Sequence, residues 1–168
     1  MNSKTKKLSV GLLVLTTLAA ILWCRMSDND IPRHAWFYDA NTDTLFAGDV
    51  TALPPIEAPS GGLKTSSSGE PAGVLARVLR RRGQHENVIV LLTKYTPEAK
   101  KLIEVVRSNP SEALAHQGAI AEGTFVALPP SAKGGKIEWA AVKSTEGQAI
   151  IASMQATIGE GPYDIILP

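Results

Sequence analysis

The stretch NVIVLLTKYTPEAKKLIEVV, residues 87–106, sets the fold class, because it holds a strand and a helix joined without a gap. Residues 87–94 form an almost unbroken apolar run of strand-forming side chains, as in a central strand covered on both faces. At Tyr95 the period changes. Thr96 is placed to cap a helix, Pro97 suits the first helical position, and Glu98 suits the positive end of the helix dipole. Ala99, Leu102, Ile103 and Val106 then recur at helical spacing and make one buried stripe.

Upstream, residues 74–81 read as a second strand, joined to the first by a hairpin loop. Residues 35–39 (AWFYD) and 44–47 (TLFA) read as two short aromatic strands around a turn rich in Asn, Asp and Thr. Residues 57–73 are rich in Gly, Ser and Pro and predict a flexible loop. Downstream, Asn109 and Glu112 stand at capping-box spacing and open a second helix. Residues 124–128 and 137–143 predict strands. Thr145 with Gln148 predicts another capping box, and Ile150, Ile151, Met154 and Ile158 the stripe of a last helix closed by Gly159. Residues 164–167 predict a closing strand. The order is that of an α+β domain, a small, mostly antiparallel sheet with two to three packed helices.

The chain has 168 residues and a formal net charge of +1, so it carries no overall field that would favour nucleic acid. Its one cysteine, Cys24, excludes an intramolecular disulfide and leaves the rest of the chain without a thiol nucleophile or zinc ligand. Cys24 ends an uncharged run, LSVGLLVLTTLAAILWC, over residues 8–24. As a helix it spans roughly 26 Å, the short end of the bilayer range. Lys7 and Arg25 can snorkel, and Trp23 suits the headgroup level. Lys4, Lys6 and Lys7 precede the run, which places the N-terminus in the cytoplasm. The expected organisation is therefore a cytoplasmic segment 1–7, a transmembrane helix 8–24, and a juxtamembrane segment 25–56 with the aromatic hairpin. The loop 57–73 and an α+β domain 74–168 follow, outside the cytoplasm in the cell membrane's envelope compartment. The rival is a cleaved signal peptide, for which Thr17, Leu18 and Ala19 offer a site. Trp23 before Cys24 disfavours lipidation.

Asp39, Asn41 and Asp43 stand at alternate positions, as in the first half of a calcium loop. Thr44 and Val50 occupy the places of the required glycine and bidentate glutamate, so a turn is the better reading. Arg77, Arg80, Arg81 and Arg82 form one basic cluster, either a patch for an anionic polymer or partner, or a solvated strand end. His34, His85 and His116 lie far apart. Gly134, Gly135 and Lys136 match only the tail of a phosphate loop and precede a strand rather than a helix. Asp164 and Glu160 could pair as carboxylates, but any protein of this size offers such pairs, and no catalytic residue is assigned. No motif calls for a cofactor or metal.

Three stretches, WFYDANTDTLF (36–46), LLTKYTPEAKKLIE (91–104) and IEWAAVKSTEGQAII (137–151), together resemble a recurring group of N-terminally membrane-anchored bacterial proteins without assigned activity. The resemblance covers about half the chain. It implies the anchored architecture and localisation, supplies no catalytic residue, and puts glycine where Asp43 stands here. The resulting expectation is a non-enzymatic, extracytoplasmic interaction module, bound to the bilayer through residues 8–24 and to an envelope protein or anionic polymer. The alternative is a small envelope hydrolase using carboxylates.

Overall fold

The computed structural model describes residues 33–65, 69–158 and 162–168. Strands β1 (His34–Asp39), β2 (Thr44–Asp49), β3 (Gly73–Arg81), β4 (Asn87–Tyr95), β5 (Thr124–Ala127), β6 (Ala140–Ala141) and β7 (Tyr163–Ile165) form one seven-stranded antiparallel sheet. Helices α1 (Pro97–Ser108), α2 (Ala113–Glu122) and α3 (Thr145–Ile158) make the domain α+β. The predicted membrane segment 8–24 and Gly159 lie outside the described residues. Among the described residues no helix is long and apolar enough to cross a membrane.

The strand order is β2-β1-β3-β4-β5-β6, and β7 lies beside the far end of β3. Thus β3 has Phe37 of β1 opposite Leu75, and Ile165 of β7 opposite Leu79. Between β3 and β4 the register shifts: Arg77 faces Leu91 and Val78 faces Ile89, leaving Val90 as the extra residue of a bulge. Val90 and Leu91 consequently join one cluster on the same side. With Leu92 and Ile89 in the cluster of the opposite face, both sides of β4 are apolar and the run shows no strict alternation.

The two faces of the sheet are covered differently. On one, Leu79, Val90, Leu91 and Val126 pack with Met154 and Ile150 of α3. On the other, Tyr38, Val74, Ala76, Val78, Leu92 and Ala127 form a cluster that no helical residue joins. Ile137, Trp139 and Ile166, all from irregular segments, cover it instead. Beyond both clusters, fully buried Phe37 stacks on Phe46 at 5.7 Å.

The helix cap at Thr96 forms as its sequence implies, with Oγ1 accepting from Ala99 N at 3.2 Å. Other expectations are corrected. Only α3 packs broadly on the sheet; α1 buries Ala99 alone, α2 buries no residue, and the two lean mainly on each other. Asn109 and Glu112 form no capping box, because the Asn109 amide donates to the Glu112 carboxylate itself at 2.8 Å. A 3-10 turn, Pro110–Glu112, separates α1 from α2. The strand expected over 137–143 shrinks to Ala140–Ala141, since Ile137 and Trp139 turn onto the core and Ser144 N bonds back to Ala141 O at 2.9 Å. The cap of α3 is Ser144, one residue earlier than Thr145: its Oγ accepts from Gly147 N at 3.0 Å. Gln148 donates instead to Val142 O at 2.6 Å. The closing strand starts at Tyr163 and ends at Ile165.

Gly147 marks the tightest approach, where the first turn of α3 crosses β6. A Cβ there would lie 2.0 Å from the Ala141 carbonyl oxygen. Helix propensity alone favours Gly147→Ala by about 1 kcal/mol. The crossing reverses the sign, and Gly147→Ala is expected to cost roughly 1–3 kcal/mol through overpacking. Urea unfolding of the two proteins decides the matter; a stabilised variant would refute this packing.

Candidate functional site

The face without a helix holds a cavity of about 540 Å³. Val74 of β3 and Lys94 of β4 contribute from the sheet, while Leu63 and Glu70 come from the Gly/Ser/Pro-rich segment and Lys136 and Trp139 from the segment before β6. Lys94 follows Leu92 by two residues, so strand alternation puts it on the cleft face. Its Nζ donates to the Glu70 carboxylate at 3.1 Å and lies 5.0 Å from the centre of the Trp139 ring. This trio also lines an adjoining cavity of about 260 Å³, and so stands as the partition between the two.

The turn between β1 and β2 fixes both walls of the cleft. Asp39, 1% exposed, accepts from the Ser60 amide at 3.2 Å, the Ser60 hydroxyl at 2.7 Å and the Asn41 amide at 3.0 Å. The Asn41 side chain donates to Ser60 Oγ and Gly62 O, both at 2.9 Å, and accepts from Lys64 N at 2.9 Å. Asp43 accepts from the Tyr38 hydroxyl with one oxygen and from Gly134 N with the other. Asp39 and Asn41 thus hold residues 60–64, Asp43 holds Tyr38 and Gly134, and each of their side-chain oxygens is engaged by a donor of the protein. Asp43 has φ +57°, a conformation that glycine favours and Asp tolerates. Its two accepted hydrogen bonds explain why an acid stands there.

Tied in this way, the stretch composition reads as a loop has structure of its own among the described residues. Bridges join Ile56 to Gly73, Ala58 to Gly61 and Gly62 to Pro71, and Ala58 and Ala72 are buried.

Burial raises the Asp39 pKa, but hydrogen bonds from Ser60, Asn41 and Thr42 outweigh it and hold the carboxyl below its usual range. Burial, with the hydrogen bond to Asp43 and the charges of Asp43 and Asp39, pushes the Tyr38 hydroxyl well above its ordinary value. It stays a neutral donor.

The arginines do not form one surface. Strand alternation sends Arg80 to the opposite face from Arg77 and Arg81. Arg80 donates to Asn87 at 2.9 Å and Arg82 pairs with Asp164 at 3.2 Å, while Arg77 and Arg81 are exposed. His34 and His85 are exposed, and His116 meets Glu112 at 3.0 Å. Glu160 lies outside the described residues. Among the described residues no three His, Cys, Asp or Glu side chains gather into a metal-binding group. A further depression of about 380 Å³ between α1 and α2 is lined almost wholly by apolar groups such as Val106, Leu114 and Ile120.

Glu70, Lys94, Lys136 and Trp139 did not stand out in the sequence as a group. Trp139 read as a strand residue and Glu70 as part of a loop. The available signal was a pair of lysine-bearing loops, Lys64 in one and Lys133 with Lys136 in the other. No protein-family model, curated protein or solved structure matches the chain.

Because the folded-state pKa of Asp39 is depressed, its contribution to stability is full above the unfolded-state carboxylate pKa. That contribution is lost as the pH falls through the lower folded-state value. Asp39→Asn, which leaves one Ser60 donor unanswered, is expected to cost about 1–3 kcal/mol at neutral pH. It should also flatten the acid limb of stability against pH. Urea midpoints measured from neutral to acidic pH test this; an unchanged slope in the variant would remove Asp39 from that role.

Proposed function

We propose that this chain is a single-pass membrane-anchored protein of the bacterial cell envelope whose folded domain is a non-enzymatic interaction module. The cleft on the open sheet face is its binding site. The uncharged run 8–24 and the lysines before it support the anchor and its orientation. The cleft supports the binding role, and one observation carries it. The β1–β2 turn, with Asp39 buried at its base, clamps both of its walls, so the site is preorganised, which lowers the entropy cost of taking a ligand.

The hydrolase reading requires two carboxylates converging on one reacting group. Within the cleft, Glu70 is the acidic lining residue among the described ones, and it is neutralised by Lys94. Asp39 is buried behind the wall, and Asp164 is exposed and paired with Arg82. The binding reading needs none of them free.

Two measurements test the proposal. Terminal sequencing of the purified protein should find residues 8–24 retained; a mature chain beginning after Ala19 would sink the anchor. Chemical cross-linking of the full chain in intact cells should yield a discrete adduct. Thr65→Trp places a large ring at an exposed position lining the cleft and should abolish that adduct while leaving the melting temperature unchanged. An adduct indifferent to Thr65→Trp would move binding away from the cleft.

A further inference from the structure

We propose that the cleft takes a small amphipathic monoanion, with its acidic head at Lys94 and Lys136 and its apolar body against Trp139, Ile137 and Val74. This rests on the reading of the cleft as the binding site and names the ligand class. Charge comes first. The cleft is lined by two lysines and one glutamate, and the loops forming its walls add Lys64 and Lys133, both exposed. None of Lys64, Lys133 and Lys136 makes an ion pair among the described residues. Glu138, in the same segment, does not line the cavity. Against these four lysines stand Glu70, Asp43 on the amide of the lining residue Gly134, and Asp39 behind the wall, so the cleft keeps a small positive excess that favours anions.

The position of Lys94 then excludes a cationic ligand. A ring face with a carboxylate beside it is the usual receptor for an ammonium group. Here that receptor is already filled from within, by Lys94 Nζ at 5.0 Å from the Trp139 centroid and 3.1 Å from Glu70. An incoming carboxylate or phosphate can replace Glu70 as the acceptor. The Glu70 side chain is 36% exposed, so its release to water costs little. The head would then sit at the partition between the two cavities, with the body in the larger one. A volume of about 540 Å³ admits a small molecule. The hydrocarbon part finds Val74, Ile137 and the indole, which favour an aromatic or branched body.

The test uses full-length protein in nanodiscs and ligand-observed NMR titration with 3-phenylpropionate, its neutral amide and 3-phenylpropylamine. The carboxylate should bind saturably and roughly tenfold tighter than the amide, the difference expected of one charge-assisted hydrogen bond, with the amine weakest. Lys136→Glu, at an exposed position, should remove most of the preference for the carboxylate over the amide. Thr65→Trp should block every probe. If the amide or amine binds as tightly as the carboxylate, and Thr65→Trp blocks it, the cleft is a binding site but the anion proposal is overturned. If no probe binds saturably, or Thr65→Trp blocks nothing, the anion proposal and the assignment of binding to the cleft both fall.

Discussion

A carboxylate without solvent must be supplied with donors, and the position of Asp39 makes that need organise the turn and the segment around Ser60. At the end of β1 it is nearly inaccessible, so its oxygens are met by protein groups. The donors come from Asn41 in the same turn and from Ser60, twenty-one residues away. Drawing Ser60 in brings residues 60–64 against the turn, where Asn41 engages the backbone on both sides of Leu63. Asp43 extends the same logic to the other wall through Gly134. A segment whose composition promises little apolar burial is held by hydrogen bonds to side chains of another element.

The second constraint is the unequal covering of the sheet. Antiparallel sheets tolerate one face without helices, but the apolar side chains there still need cover. Helix α3 covers Leu91 and Val126 on one face. On the other, Trp139, Ile137 and Ile166 cover Val74, Leu92 and Tyr38 from irregular segments. Loops cover a sheet less completely than a helix does, and the cleft is the space left between them. Trp139 illustrates the consequence: one side chain closes the core, carries Lys94 on its ring and divides two cavities.

Local signals were readable where the interaction is local. The Thr96 cap, the β1–β2 turn and the apolar run of β4 each depend on residues within a few positions, and each appears as its sequence implies. Misreadings arose where a nearby partner competed. Asn109 and Glu112 satisfy each other instead of the helix backbone, and Ser144 takes the cap that Thr145 and Gln148 imply. The arginine cluster is compact in sequence yet divided in space, because a strand turns alternate side chains to opposite faces.

The amino-acid sequence by itself determined the α+β class, the order of its elements and their turns, because periodicity and capping are encoded within a few residues. It also set the near-neutral charge and the apolar run 8–24. Only the tertiary structure decided that Asp39, Asn41 and Asp43 are clamps, the first two on residues 60–64 and the third on Gly134. It alone brought Glu70, Lys94 and Trp139, sixty-nine positions apart at their extremes, around one cavity. The reason is physical: long-range pairs form when the sheet's register and the covering of its open face bring distant segments together, and neither is written in any single window of the chain.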